Sequence, residues 1–99
     1  MIRNATFADL PSLMAIEELS WKPHLRASVD TIRHRLSSYP EGQFIVEVDG
    51  VVKGVLYTQR IRDVDEMTGR GFEGQASLHD PAGEIIQLLA INVPAGLFV

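Results

Sequence analysis

The sequence predicts an α+β domain, and three observations carry that expectation. Two stretches with helical periodicity, Phe7–Trp21 and the run that follows Ser28, come ahead of any long strand. Asp49-Gly50 separates two β-rich runs, Gln43–Val48 and Val51–Arg62, which is a hairpin signature. Glu84–Val93, EIIQLLAINV, is almost unbroken apolar sequence, interrupted after Glu84 only by Gln87 and Asn92. Helices first and antiparallel strands after them segregate the two kinds of element, which is the α+β arrangement.

The bulk numbers narrow the function classes. A chain of 99 residues is one domain, 45% hydrophobic and 22% charged, which is ordinary globular composition. Its net charge of −4 offers no basic patch to displace counterions from phosphates, so no nucleic-acid partner is expected. With no cysteine, disulfides and thiolate chemistry are excluded. Three scattered histidines (His24, His34, His79) have no ligand spacing, so no metal site is expected. No apolar run reaches ~18 residues and no segment reads as a signal peptide, which predicts a cytoplasmic protein with no membrane role.

Taken in order, Ile2–Ala5 is a short strand candidate. Pro11 would break a helix begun at Thr6, so the helix is expected to start at Leu10 with Asp9 as its cap and Pro11 in the first turn. Leu10, Leu13 and Met14 form its apolar stripe, and Glu17 and Trp21 continue that stripe at four-residue spacing. A carboxylate in such a place needs a partner or the rim of a cleft. Lys22–Ala27 reads as a linker, Ser28 as the cap of a second helix with Val29, Ile32 and Leu36 at helical spacing and Arg26, Arg33 and Arg35 among its charges, and Tyr39-Pro40-Glu41-Gly42 as its end. Gly54 marks a bulge or a close approach in the hairpin's second arm. Asp63–Gly83 is a long connection expected to be the most mobile internal segment. The closing apolar run reads as a strand buried on both faces in the middle of a sheet.

This order, carried by IRNATFADLPSLMAIEE, FIVEVDGVVKGVLYTQRI and IIQLLAINVP, resembles the amino-terminal half of a GNAT-type acyltransferase, over Ile2 to about Pro94. The wording Gln87-Leu88-Leu89-Ala90-Ile91-Asn92-Val93 is also similar to GNAT-like domains of polyketide-type systems, some of which load or decarboxylate acyl groups. The resemblance implies a partial GNAT fold, β-α-α-β-β-β, and acetyl-CoA or another acyl-CoA as cofactor. It implies that the backbone of Ile91, Asn92 and Val93 holds the thioester carbonyl. The family continues into a Gln/Arg-x-x-Gly-x-Gly/Ala loop that opens a helix and holds the pyrophosphate. Here the chain reads Pro-Ala-Gly-Leu-Phe-Val after Val93, so weak or absent coenzyme A binding is expected of a first half that is inactive alone. The family's general-acid tyrosine has no counterpart either.

The candidate catalytic residues are Glu17, His79 and Glu84, with Trp21 as a substrate-binding residue. Glu17 is a candidate general base, against the plainer reading of a half-buried helix carboxylate paired with an arginine. Trp21 lines a pocket or simply fills the core. His79, beside Asp80, suits base catalysis near neutral pH or is a solvated loop histidine. Glu84 stands near where some family members carry a base, though strand alternation can aim it away. The glycines of Thr68–Gly74 fit no nucleotide fingerprint. The leading expectation is an acyl-CoA-dependent acyltransferase domain acting on a small-molecule or carrier-protein acceptor. Its alternatives are a non-catalytic binding or oligomerisation relative and a polyketide-type loading or decarboxylating domain. Self-association through the last strand and the apolar tail Leu97–Val99 is expected as well.

Overall fold

The computed structural model describes residues 1–63 and 79–94. Strand β1 (Ile2–Asn4) leads through a 3-10 turn at Phe7–Asp9 into helix α1 (Leu10–Ser20). A second 3-10 turn at Pro23–Leu25 precedes α2 (Val29–Ser38), and a third at Pro40–Gly42 delivers the chain to β2 (Gln43–Val48). β3 (Val51–Ile61) and β4 (Ile85–Asn92) complete an antiparallel sheet in the order β1-β2-β3-β4. Most of the long connection, including Thr68–Gly74, and the tail Leu97–Val99 lie outside the described residues.

Local chemistry accounts for these boundaries. Helix α1 starts at Leu10 with Pro11 in its first turn, where a missing N–H costs nothing. Asp9 is not its side-chain cap, however. Its backbone is already helical (φ −81°, ψ −6°), and its carboxylate reaches back to the Thr6 N–H at 2.8 Å and the Thr6 hydroxyl at 3.1 Å. Arg3 clamps the same carboxylate with two N–H groups at 2.9 and 2.8 Å and donates to Glu47 at 2.7 Å. The cap thus closes the 3-10 turn one step upstream, because that turn holds the first orphan N–H groups. Ser28 does cap α2, accepting from Thr31 N–H at 3.1 Å. Asp49 (φ 53°) and Gly50 (φ 78°) both take the left-handed conformation that a two-residue hairpin turn requires. Val46 pairs with Gly54 but Glu47 with Val52, so Lys53 is the extra residue of a bulge beside Gly54.

Both helices pack on one face of the sheet. Leu13, Ile16, Ile32 and Leu36 meet Ile45, Val55 and Tyr57 in one cluster of buried side chains. Val29, at the start of α2, is exposed at the rim. The larger correction concerns β4. It lies at the sheet edge among the described residues, pairing only with β3, and it is not buried on both faces. Gln87 and Asn92 turn inward, whereas Ile86, Leu88, Ile91 and Val93 are each more than half exposed. Gly83 sets the approach to β4, since a Cβ there would lie 2.5 Å from the Ile61 carbonyl oxygen.

The Arg3–Asp9 clamp yields a pH-dependent expectation. Hydrogen bonds from Arg3, followed by those from Thr6, hold the Asp9 carboxyl at about 2, below its ordinary 3.8. A depressed carboxyl pKa stabilises fully above the unfolded value and loses its effect as pH falls through the folded one. Asp9→Asn should therefore lower the unfolding free energy by ~1–2 kcal/mol at neutral pH. Urea midpoints of the two proteins should converge as the pH approaches 2.

Candidate functional site

The last turn of α1 points Glu17 inward, where it is only 3% exposed. Its Oε2 accepts from the backbone N–H of Ala27 at 2.8 Å, and its Oε1 accepts from Asn92 Nδ2 at 2.9 Å. Asn92, itself buried at the end of β4, accepts in turn from the Trp21 indole N–H at 2.9 Å. The arginine partner expected for Glu17 is not there: among the described residues Glu17 makes no ion pair. An amide and a backbone donor satisfy the buried carboxylate instead. Trp21 has left the helix (φ −133°, ψ 148°), and Arg26 closes the helix end by donating to the carbonyls of Trp21 and Glu18.

Beside this network lies a cleft of about 80 Å³, lined by Glu17, Trp21, Thr31, Arg35, Leu89 and Ala90 among others. It has room for several waters or a short acyl chain. Leu89 reaches it because the β3–β4 register slips there: Tyr57 pairs with Ala90 and Thr58 with Leu88, leaving Leu89 as the bulged residue. Arg35 was legible in the sequence only as one charge among several on the second helix. Its position one residue before the buried Leu36 and three after the buried Ile32 was the signal that it flanks the inward stripe. Its guanidinium lies 4.7 Å from the centroid of the Tyr57 ring, and its Nε is buried without a hydrogen-bond partner. Burial lowers the Arg35 pKa from its ordinary value, while Tyr57 and Glu17 work in the opposite direction. Burial pushes the Tyr57 hydroxyl up, and Glu17 adds to that; this hydroxyl is also without a partner.

The other sequence candidates lie elsewhere. Glu84 is exposed just ahead of β4 and does not line the cleft. Ile91 and Val93 turn to the outer face of the sheet, and only Asn92 of that trio points toward the helices. His79 is not a solvated loop histidine. It is half-buried, stacks on Tyr39 at 5.1 Å and accepts the Arg60 backbone N–H through Nδ1 at 3.1 Å. It lies beyond Arg35, outside the cleft.

No family model matches the chain, and no curated protein matches it by sequence. Solved structures do. The loading GNATL domain of CurA from Lyngbya majuscula superimposes with a TM-score of 0.93, at 32% identity over 98% of this chain and 49% of that one. The GphF GNAT-like decarboxylase, in complex with isobutyryl-CoA, superimposes with a TM-score of 0.90, at 36% identity over 96% of this chain and 49% of that one. The chain belongs to the GNAT superfamily, in its polyketide-associated GNAT-like branch. It spans about half the length of each of these two structures. The GNAT resemblance seen in the strand and hairpin wording is thereby borne out, as is the α+β architecture.

Within this GNAT-like domain His79 anchors the turn that leads into β4. Asp80 N–H donates to the Arg60 carbonyl at 2.8 Å, and Arg60 Nε donates to the Gly83 carbonyl at 2.7 Å. Burial lowers the His79 pKa, against raising contributions from Asp80 and Glu41. An imidazolium cannot accept the Arg60 N–H, so protonation breaks that bond. The sign follows: a His with a depressed folded pKa stabilises above the ordinary 6.5, and the contribution is lost as pH falls below it. Amide exchange at Arg60 should accelerate on acidification from pH 7 to 5, beyond the intrinsic trend. His79→Phe should abolish this pH-dependent component.

Proposed function

We propose that this GNAT-like domain holds the acyl end of an acyl-coenzyme A thioester in the cleft beside Trp21, and that the acyl group carries a carboxylate. The single observation behind this reading is Arg35. A half-buried guanidinium that makes no ion pair among the described residues, and whose Nε is buried without a hydrogen bond, is costly, and a bound carboxylate would supply what the fold omits. The second structural neighbour supports the choice, since it is a decarboxylase by name and was captured with an acyl-CoA. A decarboxylase acts on a carboxyl group that its product lacks.

In this reading Trp21, Leu89 and Ala90 shield the acyl chain, Arg35 orients its carboxylate, and backbone N–H groups at Asn92 and Val93 are the candidates for holding the thioester carbonyl. Loss of carbon dioxide breaks the bond from the acyl carbon to the carboxylate. The electron pair passes into the thioester enolate, whose oxygen those donors would stabilise. Glu84 and His79 enter no step. The name of the first neighbour, a loading domain, favours transfer to a carrier-protein thiol as a second reading. Calorimetry with short acyl-pantetheine thioesters tests the proposal. A carboxylated acyl group should bind about tenfold or more tighter than its neutral analogue, and Arg35→Met should erase the difference. Equal affinities in the unaltered protein, or a preference that survives Arg35→Met, would refute it.

We propose self-association of the chain as well. The outer face of β4, formed by Ile86, Leu88, Ile91 and Val93, is covered in solution by a second copy of the chain. Sedimentation across a concentration series should show a dimer that Leu88→Lys converts to monomer. A monomer at every concentration would rule this out.

A further inference from the structure

The network around Glu17 has a direction, because its groups differ in what they can donate and accept. An ionised carboxylate only accepts, an indole N–H only donates, and a primary amide does one at each end. Glu17 spends one oxygen on Ala27 N–H and the other on Asn92 Nδ2. The Asn92 carbonyl must then face the remaining donor, Trp21 Nε1. At one end stand a backbone group that cannot rotate and a carboxylate buried inside α1. At the other stands a half-buried ring whose backbone has already left the helix. We propose that Glu17 is a positioning residue: its buried carboxylate fixes the Asn92 amide and, through it, the Trp21 indole as a wall of the cleft. Both carboxylate oxygens already accept a hydrogen bond in this task. The inference rests on the acyl-binding reading only in treating the cleft as a ligand site.

Hydrogen-bond counting supplies the test. Glu17→Gln leaves a single acceptor for two donors. If the new carboxamide keeps its bond from Ala27, its N–H₂ group faces the Asn92 amide N–H₂. Asn92 can resolve that clash only by flipping, which sets donor against donor at Trp21. Asn92→Asp alone puts two carboxylates face to face. The double variant Glu17→Gln/Asn92→Asp restores every bond. Ala27 N–H then donates to the carboxamide oxygen on α1, and the carboxamide N–H₂ donates to the new carboxylate on β4. The second oxygen of that carboxylate accepts the indole N–H.

Trp21 is the only tryptophan of the chain, so its indole N–H gives one assignable nuclear magnetic resonance signal. Solvent exchange of that proton should accelerate about tenfold or more in each single variant and return close to the original rate in the double variant. An unchanged rate in Glu17→Gln would overturn the proposal, as would a double variant no better than the worse single one. Should a single variant fail to fold, Trp21→Phe reads the direction on its own. The Asn92 side-chain amide should stay protected from exchange, because Glu17 still holds it. Loss of that protection would mean that Trp21 orders Asn92, the reverse of the proposal. These measurements need no thioester, so they stand or fall separately from the substrate assignment.

Discussion

A carboxylate in a protein interior is tolerable only where fixed donors replace its water, and Glu17 draws those donors from two distant parts of the chain. The Ala27 N–H lies in the connection before α2, and the Asn92 amide lies at the end of β4. Helix α1, the approach to α2 and the sheet edge therefore meet at one charged point. Moving any of them would strand the charge. At the far end of the layer Arg3 does a comparable job in a wetter setting, joining β1 to the turn through Asp9 and to β2 through Glu47. That clamp is partly exposed and screened by solvent, so the buried junction at Glu17 constrains the helix layer more tightly.

The two charged side chains Glu17 and Arg35 of the cleft are treated oppositely. Glu17 accepts a hydrogen bond at each oxygen, while Arg35 sits on the face of Tyr57 with an idle Nε. An acid already bonded at both oxygens has less to offer a ligand than a guanidinium with an unpartnered donor. Any molecule entering the cleft thus meets a cation with open hydrogen-bonding capacity, even though the chain carries a net charge of −4. Whole-chain charge governs solubility and long-range steering, and the sign of a pocket is set by which groups have been neutralised locally.

The elements themselves were legible because each has a local cause: the Pro11 position, the Ser28 cap, the left-handed Asp49-Gly50 pair. Glu17 and Trp21 were legible as neighbours because helical spacing puts them on one stripe. That Asn92 would join them was not, since 75 residues separate it from Glu17 and only the β3–β4 register brings it there. Arg35 was hidden for another reason: its importance lies in having no partner, and a missing partner cannot be read from a pattern. The Asp9 cap and the solvated His79 were misjudged because an arginine and a tyrosine, each far off in sequence or on another element, claimed those side chains.

The burial of β4 was misjudged for the most instructive reason. A run rich in isoleucine and leucine reads as a central strand because composition records how apolar a segment is, not which face each residue takes. Here the faces are inverted relative to an ordinary half-buried strand. The polar residues Gln87 and Asn92 point toward the helices, and the aliphatic residues point away. Inward polarity is sustained because each has a ready partner, Gln87 accepting from Gln59 and Asn92 bridging Glu17 and Trp21. A strand gains nothing in stability from such an arrangement compared with inward leucines. It gains a fixed polar link from the sheet to Glu17 and Trp21, and an outer face that is apolar and exposed. The strand thus ties the sheet to the helix layer on one side and presents exposed aliphatic side chains on the other.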